Sequence, residues 1–212
     1  MRKLLRVLFW LAVIVGGLIG FLRATAIRWW QLPQNDPYFE ASVAPTLRGG
    51  DWVVLWRATR PKFGDLALCP EPKTNRPVIA RVAGEGGDHV SILGTALTVD
   101  RQPTQVEGVC DPFTTRDPSN GSVIEQTCSR EVLGGRTHSR GNSSNSLPAD
   151  AKPDEFDVPN GQFFLVSDNR ALPWDSREFG PVDASLCAET VVFRLVSKDG
   201  FFDVANRLSL IH

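Results

Sequence analysis

The feature that most constrains this chain is its N-terminus, MRKLLRVLFWLAVIVGGLIGFLRATAIRWW. From Val7 to Leu22 there is no charge, and Leu4 and Leu5 extend the apolar run if Arg6 snorkels to the interface. At ~1.5 Å per residue this run is short but adequate for a hydrocarbon core of about 30 Å. Gly16, Gly17 and Gly20 would weaken a helix in water and are tolerated in lipid. No polar face exists, which argues against a buried core helix. Arg2, Lys3, Arg6 and the amino terminus precede the run, and Arg23 and Arg28 follow it, a bias that places the N-terminus in the cytoplasm. Trp29 and Trp30 fall at the outer interface. A cleaved leader with Ala24-Thr25-Ala26 at the cleavage point is the rival reading. Arg23 directly before that point and the length of the run favour an uncleaved anchor.

After Leu32 the chain changes character. PQNDP reads as a linker, and short apolar, β-branched runs follow: Trp52–Trp56, Leu66–Leu68, Val78–Val82, Val90–Ile92, Leu97–Val99, Phe163–Val166 and Val191–Val196. Turn residues separate them (Arg60-Pro61, Phe63-Gly64-Asp65, Gly84–Asp88), at spacings that predict an all-β barrel or sandwich rather than βαβ units. Between about Arg101 and Asn160, segments such as RDPSNGS and SRGNSSNSLPADAKPDE lose hydrophobic periodicity and predict a loop-rich insertion. The chain thus divides into an anchor (1–30), a core (31–100 and 160–200), an inserted subdomain (101–159) and a tail (201–212). The tail, FFDVANRLSLIH, either adds a strand or rests near the membrane. A net charge of −1 gives no electrostatic footprint for nucleic acid.

The four cysteines admit disulfides if the domain lies outside the cytoplasm. Cys110 and Cys128 flank one stretch of the insertion, and a bridge there is worth roughly 3 kcal/mol by loop closure. Cys69 and Cys187, in apolar runs, read equally well as buried free thiols. Without a C-x-x-C pair, and with only His89, His138 and His212 as partners, a metal site is not expected, nor is a cofactor.

The candidate chemistry centres on Phe39–Asp51, FEASVAPTLRGGD. Ser42 reads as part of an extended, non-helical stretch, because Pro45 biases Ala44 toward β or polyproline backbone. A hydroxyl held on such a stiff segment is a candidate nucleophile. Three more blocks follow in order: RPKFGDLALCPEP (Arg60–Pro72), VIARVAGEGGDHV (Val78–Val90) and SDNRALPWDSREFGPV (Ser167–Val182).

Together these blocks resemble the type I signal peptidases, membrane serine proteases with a Ser-Lys dyad. The family's Ser-Met-x-Pro-Thr-Leu is similar to Ser42–Leu47, with Val43 for methionine. Its Gly-Asp resembles Gly64-Asp65, its Lys-Arg-x-x-Gly-x-x-Gly-Asp resembles Ala80–Asp88, and its Gly-Asp-Asn-Arg with a later Asp-Ser-Arg resembles Ser167–Arg170 and Asp175–Arg177. The resemblance implies a signal-peptidase-type β fold behind one transmembrane helix, with Ser42 at the nucleophile position. It also implies preprotein signal peptides as partners, bound as strands along Tyr38–Ser42 and Val78–Ala80. By the same resemblance residues 4–22 lie in lipid and the main domain lies outside the inner membrane.

Three positions depart from the family pattern. The resemblance puts the general-base lysine at position 80, where this chain has Ala80. The hydroxyl residue supporting that lysine falls on Pro173, and an oxyanion-supporting serine falls on Glu40. A serine needs a base within about 3 Å, and a lysine serves only when its pKa is brought from about 10.4 toward 7. Alanine has no lone pair, and a carboxylate beside a developing oxyanion opposes it. The structural set implied by the resemblance is present: Asp168, Asn169, Arg170, Asp175, Arg177 and Gly180. The expectation is therefore a signal-peptidase fold that binds peptides, or acts beside an active paralogue, without Ser-Lys cleavage. The rivals are a protease using another base, with Glu40 on the Ser42 face of an extended segment (or Lys62, Lys73 or His89), and a β domain with no peptide site.

Overall fold

The computed structural model describes residues 2–143 and 147–211; positions 144–146, within the loop-like SRGNSSNSLPADAKPDE segment, and His212 of the tail lie outside the described residues. The first element, α1 (Arg2–Thr25), is apolar on all sides, with a mean hydropathy of 2.3 over its best window. It is exposed along nearly its whole length, as suits a helix long and apolar enough to cross a membrane. Arg57 caps its end: Nη2 donates to Arg23 O (2.6 Å) and Ala24 O (3.0 Å), carbonyls that the helix itself leaves unpaired.

The sheet begins two residues beyond the helix. Strand β1 (Ile27–Gln31) pairs antiparallel with β2 (Trp52–Trp56), so Trp29 and Trp30 belong to a strand as well as lying next to the anchor. Between them a short helix, α2 (Pro37–Val43), occupies the stretch expected to be extended. After β2 come β3 (Leu66–Pro70), β4 (Pro77–Glu85), β5 (His89–Leu93), β6 (Ala96–Val99) and β7 (Gln102–Pro103). The insertion contributes β8 (Gln105–Arg116), β9 (Val123–Leu133), β10 (Arg136–Asn142) and β11 (Asp154–Asp157). The chain returns through β12 (Gln162–Val166), α3 (Ser176–Phe179), β13 (Val182–Asp183), β14 (Glu189–Val196) and β15 (Ser209–Leu210).

The main sheet has the order β1-β2-β14-β3-β4-β12-β13, with β15 also on β14, and curls into a half-barrel. Five of its strands, β2, β3, β4, β12 and β14, coincide with the β-branched runs read from sequence, and the two remaining runs form β5 and β6 of a separate sheet. The tail's uncertainty is resolved by β15, whose Leu210 pairs with Phe193. Strand β4 is buried on both faces from Val78 to Gly84, which is why its sequence runs VIARVAG instead of alternating.

The insertion departs from expectation. It is a three-stranded antiparallel sheet, β10-β9-β8, with β11 added to a separate β11-β5-β6-β7 sheet. Strand β8 is exposed or half-buried along its entire length, so no alternation marks it in the sequence. Cys110 pairs with Cys128 across β8 and β9 as a disulfide. Cys69 and Cys187, which sequence left as candidate free thiols, form a second, buried disulfide, because the return of the chain into β14 lays residue 187 against β3. The tip of the β9–β10 turn lies tightly on the core: a Cβ on Gly134 would stand 2.3 Å from Phe63 O, so only glycine fits.

Candidate active site

Ser42 lies in the last turn of α2. Asp36 caps that helix by accepting from Phe39 N (3.2 Å), with Pro37 at its first position. Ala44 ends it in extended backbone (φ −70°, ψ 149°), as a residue before proline should be, and the Ala44–Pro45 bond is cis. The helix corrects the extended reading. The Asp36-Pro37 pair was the start signal, passed over as linker.

The helix redirects the serine's neighbours. Ser42 is 2% exposed, and its Oγ donates to Phe39 O at 2.9 Å, one turn back in its own helix. Among the described residues the hydroxyl has no other hydrogen-bond partner. In a helix, residues two apart stand about 200° around the axis, so Glu40 does not share a face with Ser42. The Glu40 carboxylate instead accepts from Asn35 N at 3.0 Å. Lys62 and Lys73 are exposed, and His89 pairs with Asp157 at 2.8 Å on the β5–β11 sheet. None of the three is bonded to Ser42.

Ala80 lies on β4 opposite Ala67 of β3, fully buried in an apolar cluster with Cys69, Val78, Val82, Leu165 and Cys187. Pro173 is half-buried in the bend that follows Arg170 and presents no hydroxyl or N–H. Its neighbour Trp174 packs against the Ala80 cluster and stacks on Tyr38 of α2 at 5.2 Å. Sequence did not single out this aromatic pair.

The predicted peptide edges come out differently from each other. Tyr38–Ser42 is helical and offers no strand edge. On β4, pairing with β12 stops at Arg81–Val166, so Pro77–Ala80 has β3 on one side and no strand on the other. Val82 N donates to Asp65 O at 3.0 Å on the β3 side. By the two-residue alternation the backbone N–H and C=O of Ile79 then face the side without a partner strand.

The structural set is brought together by the segment after β12. Arg81 grips Asp168 with two bonds, Nε to Oδ1 (2.7 Å) and Nη2 to Oδ2 (3.2 Å), both side chains buried. Burial, the largest single effect, would raise the Asp168 carboxyl, but the charge and hydrogen bond of Arg81 together with the smaller effects of its other neighbours hold the group below its usual range. Asp175 accepts from Ser167 N (2.7 Å), from Arg177 N (3.0 Å) and from the Arg177 guanidinium (2.8 Å). Burial is the largest effect on this carboxylate too, and Arg177 together with the backbone N–H donors of Ser167 and Arg177 lowers its pKa against it. Gly180 closes α3 with φ 84°.

Asn169 links this segment to the serine. Its backbone N donates to Ser42 O (3.1 Å) and its Nδ2 to Ala41 O (2.9 Å) and to Gln126 Oε1 (2.8 Å). Arg170 pairs with Glu131, which also accepts from Arg140 at 2.9 Å. Gln126, Glu131, His138 and Arg140 all come from the insertion, and sequence gave no reason to choose them.

An apolar N-terminal helix long enough to cross a membrane, a curled β domain, and a serine on a Pro-Thr-Leu segment held by an Asp-Asn-Arg turn define the class: a scaffold of the signal-peptidase type. The family model for signal peptidase, peptidase S26, matches residues 4–196, and the chain belongs to that family. No curated protein matches the chain.

Proposed function

We propose that this signal peptidase I-like protein engages extended signal-peptide segments of preproteins without cleaving them through a Ser-Lys dyad. The observation that carries this reading is the chemistry around position 80. The base position is a methyl group inside an apolar cluster, and the Ser42 hydroxyl donates inward to Phe39 O. Without an acceptor for its proton, that hydroxyl stays a weak nucleophile. Pro173 supplies no partner for an amine, and Glu40 is turned to Asn35. The side of β4 at Ile79 that no strand pairs supports peptide capture, since strand addition uses backbone groups alone.

The membrane arrangement follows the same reading. The family and α1 fit a single-pass membrane protein. We place the N-terminus in the cytoplasm and the β domain outside the cell membrane, where two disulfides are stable. The insertion (101–159) acts as a subdomain of the core, and an active paralogue is the natural partner for a peptide-binding member that does not cleave.

The test uses the full chain in detergent micelles with a preprotein carrying an Ala-x-Ala site. No cleavage is expected from wild type or Ser42→Ala, while both retain the preprotein in a pull-down. Cleavage that disappears in Ser42→Ala overturns the proposal. Protease added outside spheroplasts should digest the β domain, and protection would reverse the orientation.

A further inference from the structure

The densest buried charge in the protein lies where the insertion meets the core. Glu131 on β9 and His138 and Arg140 on β10 face Arg81 of β4 and Asp168 and Arg170 of the segment after β12. The His138 side chain is 1% exposed, with Nε2 3.3 Å from Glu131 Oε2 and 3.8 Å from Asp168 Oδ1. Neither contact is a hydrogen bond, the second being too long, and among the described residues neither ring nitrogen has a hydrogen-bond partner. The carboxylates are already engaged. Glu131 accepts from Arg140 (2.9 Å) and Thr104 (2.7 Å) and pairs with Arg170, and both oxygens of Asp168 hold Arg81. With neutral His138, three guanidiniums face two carboxylates. A second imidazole proton would add a further buried positive charge to a set already in excess, beside carboxylates that already hold guanidiniums.

The same junction encloses the serine segment. Gly141 N donates to Asp168 O (2.9 Å), and Arg170 N returns to Gly141 O (3.1 Å), so β10 is stitched to the Asp-Asn-Arg turn. Gln126 of β9 holds Asn169, which in turn holds Ala41 and Ser42. Strand β8 packs on α2, and Thr114–Arg116 at its end faces Glu40 and Ala44 across a small cleft. Ser42 is thus closed in with the insertion as one wall.

We propose that the insertion is a proton-operated cover over the serine segment, with His138 as its sensor. Docked, the imidazole is neutral, and protonation undocks β8–β10 and opens α2 to solvent. The direction follows from the charges present. Burial first, then the nearby Arg81 guanidinium, hold the His138 pKa below its ordinary value of 6.5, against the opposing pull of Glu131 and Asp168. The undocked form therefore binds the proton more readily. Docking is insensitive to pH above about 6.5 and weakens about tenfold per pH unit below it, until the pH reaches the docked-state pKa. The cover is independent of whether Ser42 cleaves anything, so its test reads exposure and not activity.

Hydrogen exchange of the full chain in micelles, corrected for intrinsic rates, is measured at pH 7.5, 6.5 and 5.5. The opening constants of the α2, β9 and β10 amides should be level between pH 7.5 and 6.5 and rise toward tenfold by 5.5, and His138→Leu should flatten that rise. A flat wild-type profile, or an equal rise in His138→Leu, overturns the proposal. Should that variant not fold, C2–H exchange of His138 in the wild-type chain decides. A pKa below 6.5 in the docked state supports the sensor, and one at or above 6.5 removes it.

Discussion

Ala80 and Arg81 are neighbours on β4 and face opposite worlds. Ala80 points into an apolar cluster beside the Cys69–Cys187 disulfide, at the position our proposal gives to the family's amine. Arg81 points to the other face and grips Asp168 through two bonds. In that proposal the first position lacks the group a reaction would use, while the next keeps a group that holds the fold. The contrast teaches that the two requirements are separable on a single strand. A base is needed only by the reaction, so removing it leaves a well-packed methyl. A guanidinium facing a buried carboxylate cannot be removed without stranding a charge.

The comparison can be broken most forcefully on the Arg81 side. Arg81→Met leaves Asp168 buried and unpaired, and should cost about 3–5 kcal/mol in chemical denaturation. Acid should act in the same direction. Because the Asp168 and Asp175 carboxyls have lowered folded pKa values, the stability they lend is complete above the unfolded value of about 3.9. It should be lost as pH falls below that value through the folded pKa, seen as a steep drop in Tm. A comparable loss in Ala80→Gly would show that the two faces are not distinct.

Next in size is the covalent support behind Ala80. Replacing Cys69 and Cys187 with alanine opens a closure spanning 118 residues and should cost about 2–5 kcal/mol, measured by thermal unfolding against wild type. Asp36→Ala removes the cap of α2 and should cost about 1 kcal/mol. It should also raise hydrogen exchange in Pro37–Val43 without changing the core. The smallest effect belongs to the serine itself. Ser42→Ala gives up one hydroxyl bond to Phe39 O and should cost about 1 kcal/mol or less in denaturation midpoint. A loss several times larger would mean that Ser42 has a structural task beyond that bond.

How much of this was readable beforehand depends on where each element is buried. The core strands were legible because Val53, Leu55, Ile79, Val82 and Val191 sit in a packed interior and leave apolar runs in the sequence. The long β8 was not, since with no fully buried residue it needs no alternation. Asp36-Pro37 announced α2, but the proline after Ser42 spoke louder and suggested extension, a local preference that Ala44 alone satisfies. The disulfide of Cys69 was hidden for a different reason: residues 118 apart meet only through the sheet order. Ala80 and Pro173 were legible as departures from the family pattern, and the proposed loss of the dyad rests on them. The insertion's grip through Gln126, Glu131 and His138 was invisible, because a polar residue in a polar stretch carries no mark of later burial.

Arg57's hold on the last carbonyls of α1 has a mechanical consequence. Only Ala26 separates that helix from β1, and its carbonyl accepts from Arg57 N at 2.9 Å. Such a joint has no slack. In a bilayer the β domain would not swing on a tether but would ride at one height and lean as the helix leans. A polypeptide threading through the lipid would meet it by sideways drift in the plane of the membrane, a search in two dimensions with the receiving surface already at its level.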